Sequence, residues 1–315
     1  MARHSALAAA GLGLALACAA CTAGRSPPGP ASAGDAGQAV ITVGSFDFPE
    51  SVLLAYLYAG ALSARGFPAR VLPDLGSREL VEPALMTGLV QLVPEYTGSA
   101  LEFVSLGRAH ATASVAATAS ALASWMGARG IVTAQPAAAQ DANAIVVTGA
   151  TAARCRLRTI SDLARAAPGL VFGGPPECPE RPDCLPGLRR AYGLQFRAFA
   201  ALDAGGPLTR QALKSGDIGV ALLFTTDPAI GAQHLVVLAD DRDLQSAENV
   251  VPVLRQATAD RYGPGLLAAL DAVSARLSTA ALTALDAQVE LNGQDPRLVA
   301  GRWLGDQGLT RLGAS

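Results

Sequence analysis

Side-chain catalysis needs an activated nucleophile next to a base, and this 315-residue chain supplies few candidates. Its three histidines, His4, His110 and His234, have no recognisable partners, and no Gly-x-Ser-x-Gly elbow is present. The carboxylate pairs Glu177 with Glu180 and Asp240 with Asp241 have the spacing of solvated loops as readily as that of an acid–base couple. No histidine falls at ligand spacing to the cysteines, so neither a metal nor another cofactor is expected. Of five cysteines, Cys18 and Cys21 lie near the N-terminus, leaving Cys155, Cys178 and Cys184. Cys178 and Cys184 bracket Pro-Glu-Arg-Pro-Asp, a spacing that suits a small disulfide loop in an oxidising compartment. Three free thiols, or a bridge from Cys155 to one of the others, remain open alternatives.

Export is indicated by the first residues. Arg3 and His4 precede an apolar run from Ala6 to Ala17 that has the form of a signal peptide and is too short to span a bilayer. It leads into Leu16-Ala17-Cys18-Ala19-Ala20-Cys21, which resembles a bacterial lipobox. Residues 1–21 therefore read as a lipoprotein signal peptide, with Cys21 as the lipidated residue and Cys18 as the other choice. Residues 22–39, rich in Gly, Pro, Ser and Ala, cannot bury enough apolar surface to order themselves and read as a flexible tether. The net charge of −2 with only 16% charged residues provides no basic face for a phosphate backbone, which excludes nucleic acid as a partner.

The elements that must position any site follow from periodicity. A β-branched strand at 40–48 is followed by a helix opening at Pro49-Glu50 and stopped by Gly66. Strands at 69–75 and 89–93 flank a helix at 79–87, and an Ala-rich helix at 112–128 precedes strands at 131–133 and 144–148. The second half alternates in the same way, with strands at 170–172, 196–200, 218–224, 234–238 and 249–254. From Gly265 onward the pattern is helical. Such alternation predicts α/β architecture with parallel sheets and ligand-facing loops at the carboxyl ends of the strands. About 275 residues suit two lobes better than one core.

Specific segments carry a family likeness. Ile41-Thr42-Val43-Gly44-Ser45-Phe46-Asp47-Phe48-Pro49-Glu50 and Val93-Pro94-Glu95-Tyr96-Thr97-Gly98 resemble the opening loop and the most recognisable motif of the osmoprotectant-binding proteins of ABC importers, which capture glycine betaine, choline and carnitine. Gln140-Asp141-Ala142-Asn143, Phe172-Gly173-Gly174-Pro175-Pro176-Glu177 and Phe224-Thr225-Thr226-Asp227 follow in order. The resemblance implies a two-lobe type II periplasmic-binding-protein fold with two crossover strands, Asn143–Thr148 and Asn249–Leu254, and a ligand cleft between the lobes. Lobe one would be 40–143 plus 252–315 and lobe two 144–251. It further implies an extracytoplasmic, monomeric lipoprotein, anchored to the outer face of the cell membrane, that passes a small solute to permease subunits. A binding lipoprotein for a non-quaternary molecule is the alternative, and a secreted hydrolase the weakest reading.

A quaternary ammonium group cannot donate a hydrogen bond and is held by cation–π attraction to aromatic faces. In the resembling family that cage is largely tyrosine, and Tyr96 matches one of its positions. Phe224 keeps a ring without a hydroxyl, Asn143 and Arg210 stand where tyrosines are common, and Ser51 replaces a common glutamine. Phe46, Thr97, Ser99 and Thr225 complete the expected ligand-binding set. Each has a plainer role open to it: Tyr96 and Phe224 as core, Phe46 or Phe48 as core, and Thr97 and Ser99 as caps of a following helix. Replacing Cys21 with alanine should release the protein from the membrane fraction on cell fractionation. Release by Cys18→Ala instead would identify the other cysteine, and no release by either would rule out lipidation.

Overall fold

The computed structural model describes residues 39–310, so the leader, nearly all of the tether and Cys21 lie outside the described residues. Two five-stranded sheets organise the described chain. The first contains β1 (Ile41–Gly44), β2 (Ala69–Leu72), β3 (Leu92–Tyr96), β4 (Ile131–Thr133) and β10 (Val250–Arg255), in the order β2-β1-β3-β10-β4. The second contains β5 (Asn143–Thr148), β6 (Val171–Gly174), β7 (Ala198–Ala201), β8 (Val220–Phe224) and β9 (Leu235–Val237), in the order β7-β6-β8-β5-β9. Around the first sheet lie α1 (Pro49–Ala64), α2 (Arg78–Thr87), α3 (Thr97–Ser105), α4 (Val115–Gly127), α9 (Gln256–Tyr262), α10 (Pro264–Ser274), α11 (Thr279–Asp286) and α12 (Pro296–Asp306). Around the second lie α5 (Gly149–Cys155), α6 (Leu185–Tyr192), α7 (Pro207–Ser215) and α8 (Ala229–Ala232).

Each lobe has its own core. In the first, α1 begins at Pro49, whose missing N–H is one that a helix start leaves unpaired in any case. Its Leu53, Leu54, Leu57, Tyr58 and Leu62 are fully buried against the sheet and the C-terminal helices. In the second lobe the strands alternate as a sheet covered on both faces must. Ile145 and Val147 of β5 join Phe172, Val220 and Leu222 on one side, while Ala144 and Val146 join Ala221 and Leu223 on the other.

The parallel sheets expected from the alternation are in fact mixed. β1, β2 and β3 are mutually parallel, as are β6, β7 and β8, but β10 runs antiparallel to β3 and β4, and β5 antiparallel to β8 and β9. The reason is topological: β5 and β10 are reached by passing from one lobe into the other, and they enter the new sheet against its prevailing direction. Each lies wholly within one sheet, so the passage itself falls just before it. There the two connecting segments run antiparallel, with Gln140 bridged to Asn249, the Asp141 N–H donating to the Glu248 carbonyl (3.0 Å) and the Val250 N–H to the Ala139 carbonyl (3.0 Å).

Four helices escape the sequence pattern: α3, α5, the four-residue α8 and the seven-residue α9. α3 starts at Thr97 directly after β3, with Tyr96 as both last strand residue and N-cap, so no loop residues announce it. α5 is seven residues long and starts at Gly149, too short to establish a period.

Cys178 and Cys184 are joined in a disulfide with Cα atoms 5.4 Å apart, and Cys155 is free. Both bridged cysteines are buried in the core of the second lobe. Because the loop is short, the bridge restricts the unfolded chain only modestly. Replacing both cysteines with serine should lower the unfolding free energy by about 2 kcal/mol, read from urea melts, and an unchanged midpoint would remove the bridge from the stability of this lobe.

Candidate ligand-binding site

The carboxyl ends of four parallel strands converge on one cleft between the two sheets. β1 leads to Phe46 and Phe48, β3 to Tyr96 and α3, β6 to the disulfide loop, and β8 ends at Phe224. This is where a parallel sheet presents loops and helix starts. The cleft has a volume of about 410 Å³, enough for a small solute.

Its apolar part is a cluster of rings centred on Phe48. Phe46 stacks on Phe48 at 5.8 Å between centroids, Tyr96 tilts against Phe48 at 6.1 Å, and Phe224 reaches Phe48 from the second lobe at 5.5 Å. The loop that carries Phe46 and Phe48 is pinned by two serines. Ser51 Oγ accepts from the Phe46 N–H (2.9 Å), and Ser45 Oγ donates to the Phe46 carbonyl while accepting from the Asp74 N–H. Arg78 covers Phe46 with its guanidinium 5.1 Å from the ring centre, and Glu95 fixes that guanidinium through Nε and Nη2 at 2.8 and 2.9 Å. Glu95 is fully buried and also accepts from the Tyr96 N–H, so a single carboxylate orients both an arginine and the strand end.

Behind the rings lies a buried acid network that joins the lobes. Tyr96 donates its hydroxyl to Glu50 Oε1 at 2.6 Å, and Thr226 of the second lobe donates to Glu50 Oε2 at 2.6 Å. Asp141, on the first connecting segment, accepts from the Thr226 N–H at 3.1 Å. Burial raises the Glu50 carboxyl above its usual range, and burial together with the nearby Glu50 raises Asp141 and Asp286 well above theirs. Burial, followed by the same Glu50 charge, also drives the Tyr96 hydroxyl far up, which keeps it a donor. A second buried acid, Glu248, accepts from the Gly98 N–H (3.0 Å), the Ser99 N–H (2.8 Å) and the Ser99 hydroxyl (2.7 Å). Burial, then the neighbouring Asp183 charge, pushes Glu248 up to about 8.

The residues expected from the sequence separate into three groups. Phe46, Tyr96, Ser99, Asn143 and Phe224 line the cleft, with Asn143 Nδ2 donating to Asp183 at 2.8 Å. Thr97 is fully buried and stitches α3 to the second connecting segment: its hydroxyl donates to the Ala247 carbonyl (2.9 Å) and accepts from the Asn249 N–H (3.1 Å). Thr225 is exposed and holds the first segment, accepting from the Ala142 N–H at 3.0 Å. Arg210 is buried in an ion cluster with Asp227 (3.1 Å) and Glu290 of the first lobe (2.6 Å), outside the cleft wall. Sequence reasoning assigned no role to Glu50, Asp141 or Glu248. Glu50 and Asp141 lay inside the quoted segments, but an acid in the first turn of a helix or in a loop carries no mark of burial. Among the described residues, no group of three or more His, Cys, Asp or Glu side chains could hold a metal ion.

Comparison with known proteins identifies the family and the fold. Residues 39–306 match the family described as the substrate binding domain of ABC-type glycine betaine transport system. The chain is 31% identical over 284 residues to a glycine-betaine-binding protein of Pseudomonas aeruginosa, covering 87% of this chain and 89% of that one. It is 26% identical over 293 residues to the glycine betaine-binding protein YehZ of Escherichia coli, covering 86% and 92%. A crystal structure described as a glycine betaine/carnitine/choline ABC transporter superposes with a TM-score of 0.68 at 21% identity, over 85% of this chain and 99% of that one, which establishes the shared two-lobe fold.

The raised carboxyls set a pH dependence. Glu248 has an ordinary value of 4.5 and reaches about 8 in the fold. The fold therefore favours its neutral form, and that stabilisation is complete below the unfolded value and is lost as pH rises toward the folded one. Glu50, Asp141 and Asp286 shift in the same direction. The exposed Asp162 and Asp241 shift downward, so their effect lies below about pH 4. The melting temperature should fall as pH rises from about 5 to about 8, and Glu248→Gln should flatten part of that fall. A melting temperature that climbs across this range would show these acids to be ionised in the fold.

Proposed function

Because the chain belongs to the family of substrate-binding domains of ABC-type glycine betaine transport systems, we propose that it captures a small quaternary ammonium solute between its lobes and delivers it to an importer permease. The family is a class of extracytoplasmic solute-binding proteins and not of enzymes. Lipidation at Cys21 would hold the protein at the outer membrane face within reach of that permease.

The observation that carries this reading is the ring cluster. Phe46, Phe48 and Tyr96 from one lobe and Phe224 from the other meet in a single cleft whose wall is rich in carboxylates. A quaternary ammonium offers no N–H, so aromatic faces are the groups that can hold it, each worth about 0.5–2 kcal/mol. Asn143 and Ser99 border the rings, while Thr97, Thr225 and Arg210 serve the joints between lobes and crossing segments. Neither lobe alone encloses a small solute, so binding would draw the lobes together about the paired crossing segments, a hinge closure.

Tyr96→Ala should weaken binding of choline or glycine betaine by about 1–2 kcal/mol in calorimetric titration. Tyr96→Phe keeps the π-face and should cost far less affinity, although it leaves Glu50 Oε1 without its donor. Unchanged affinity in a normally folded Tyr96→Ala protein would sink the cage. If Tyr96→Ala lowers the melting temperature of the empty protein as strongly as it lowers affinity, the ring belongs to the core and not to the ligand.

A further inference from the structure

The polar half of the cleft is more informative about the solute than its rings. A betaine carries a carboxylate as well as its ammonium, and that anionic end needs hydrogen-bond donors or a cation. The natural place for it is the N-terminus of α3, which opens onto the cleft. That position is already taken: the Gly98 and Ser99 N–H groups and the Ser99 hydroxyl all donate to Glu248. The closeness of this contact depends on Gly98, where a Cβ would stand 2.7 Å from Glu248 Oε1.

Several other side-chain donors in the wall are engaged in the same way, although the Ser246 hydroxyl beside Gly98 is not held by a carboxylate. Ser77 Oγ donates to Glu79 at 2.6 Å, Asn143 Nδ2 to Asp183 at 2.8 Å, and the Tyr96 hydroxyl to Glu50 at 2.6 Å. The two guanidiniums are paired as well, Arg78 with Glu95 and Arg181 with Glu79 across the lobes at 2.8 Å. Eight lining residues are acidic and two are basic; even with Asp141 and Glu248 held neutral the other acids outnumber the two guanidiniums, so a carboxylate brought in by the solute would meet an excess of its own charge. A hydroxyl would instead find acceptors, since Asp183 and Glu248 both face the cleft.

We propose that this cleft selects a quaternary ammonium alcohol of the choline type over a zwitterionic betaine, because the protein's own Glu248 occupies the amides at the start of α3 where a ligand carboxylate would dock. The proposal rests on the reading of the ring cluster as a quaternary ammonium site. Glu248 sits beside Asp183 and is raised by burial and by that charge, and a cation brought into the cleft would favour its ionised form, the better acceptor for the α3 amides.

The test is calorimetric titration of the leaderless protein with choline and with glycine betaine, at neutral pH in buffer free of quaternary amines. Choline should bind at least tenfold more tightly. Glu248→Ala frees the α3 amides and should move the ratio toward glycine betaine by at least fivefold, whereas Glu248→Gln, which still fills that position, should move it less. Melting curves of both variants establish that they fold, and the wild-type ratio together with Glu248→Gln decides the matter if the alanine variant does not. Glycine betaine binding as tightly as choline to the wild type, or a ratio that Glu248→Ala leaves unchanged, would overturn the selectivity and leave the quaternary ammonium site standing. Binding of neither solute would overturn the site itself, and the selectivity with it.

Discussion

The antiparallel pairing of the two crossing segments is the constraint on which the rest of this structure depends. A chain that forms its second lobe as an insertion in its first must pass between them twice, and backbone groups in both passages need partners. Here they satisfy each other, through Asp141 to Glu248 and Val250 to Ala139. The side chains of Asp141 and Glu248 then face the cleft, while those of Ala139 and Val250 enter the core. Asp141 holds the Thr226 N–H and Glu248 holds the start of α3, so each passage is fastened to the walls that it separates.

That arrangement explains the unusual concentration of buried acids. An isolated ionised carboxylate is costly to bury, and the cost is reduced by protonation or by several donors. Glu50 receives hydroxyls from Tyr96 and Thr226, one from each lobe, and Glu248 receives two amides and a hydroxyl. Neutral or well-solvated in this way, they act as joints. Arg210 solves the complementary problem at another contact between the lobes, where Asp227 and Glu290 neutralise its charge. Buried ion pairs of this kind add little net stability, but breaking one partner out of them is expensive, which suits them to holding a defined lobe arrangement.

The aromatic cluster has a different physical basis. Phe48 is only partly buried yet touches three other rings, and the serines beneath it hold its loop by backbone hydrogen bonds instead of by core packing. Of the four clustered rings only Tyr96 carries a hydroxyl, so the cluster offers mainly plain π-faces while the hydrogen-bonding groups lie in the polar wall around it.

Much of this protein was legible before any coordinates. Apolar periodicity located most strands and several helices, including the Pro49 start of α1, because period and capping are local properties of the chain. The motif around Tyr96 and the order of the quoted segments identified the family and the two-lobe fold. What the sequence could not convey was direction and partnership. Strand direction in β5 and β10 comes from the path between lobes, which no local pattern encodes. The buried state of Glu50, Asp141 and Glu248, the removal of Arg210 into an ion cluster, and the use of Thr97 as a stitch between β3 and the second crossing all depend on residues up to about two hundred positions apart. Residue type and spacing determined which elements form and which family they belong to; only tertiary packing, by removing water from particular carboxyls and aiming particular donors at them, decided which of those residues face the cleft and which hold it in shape.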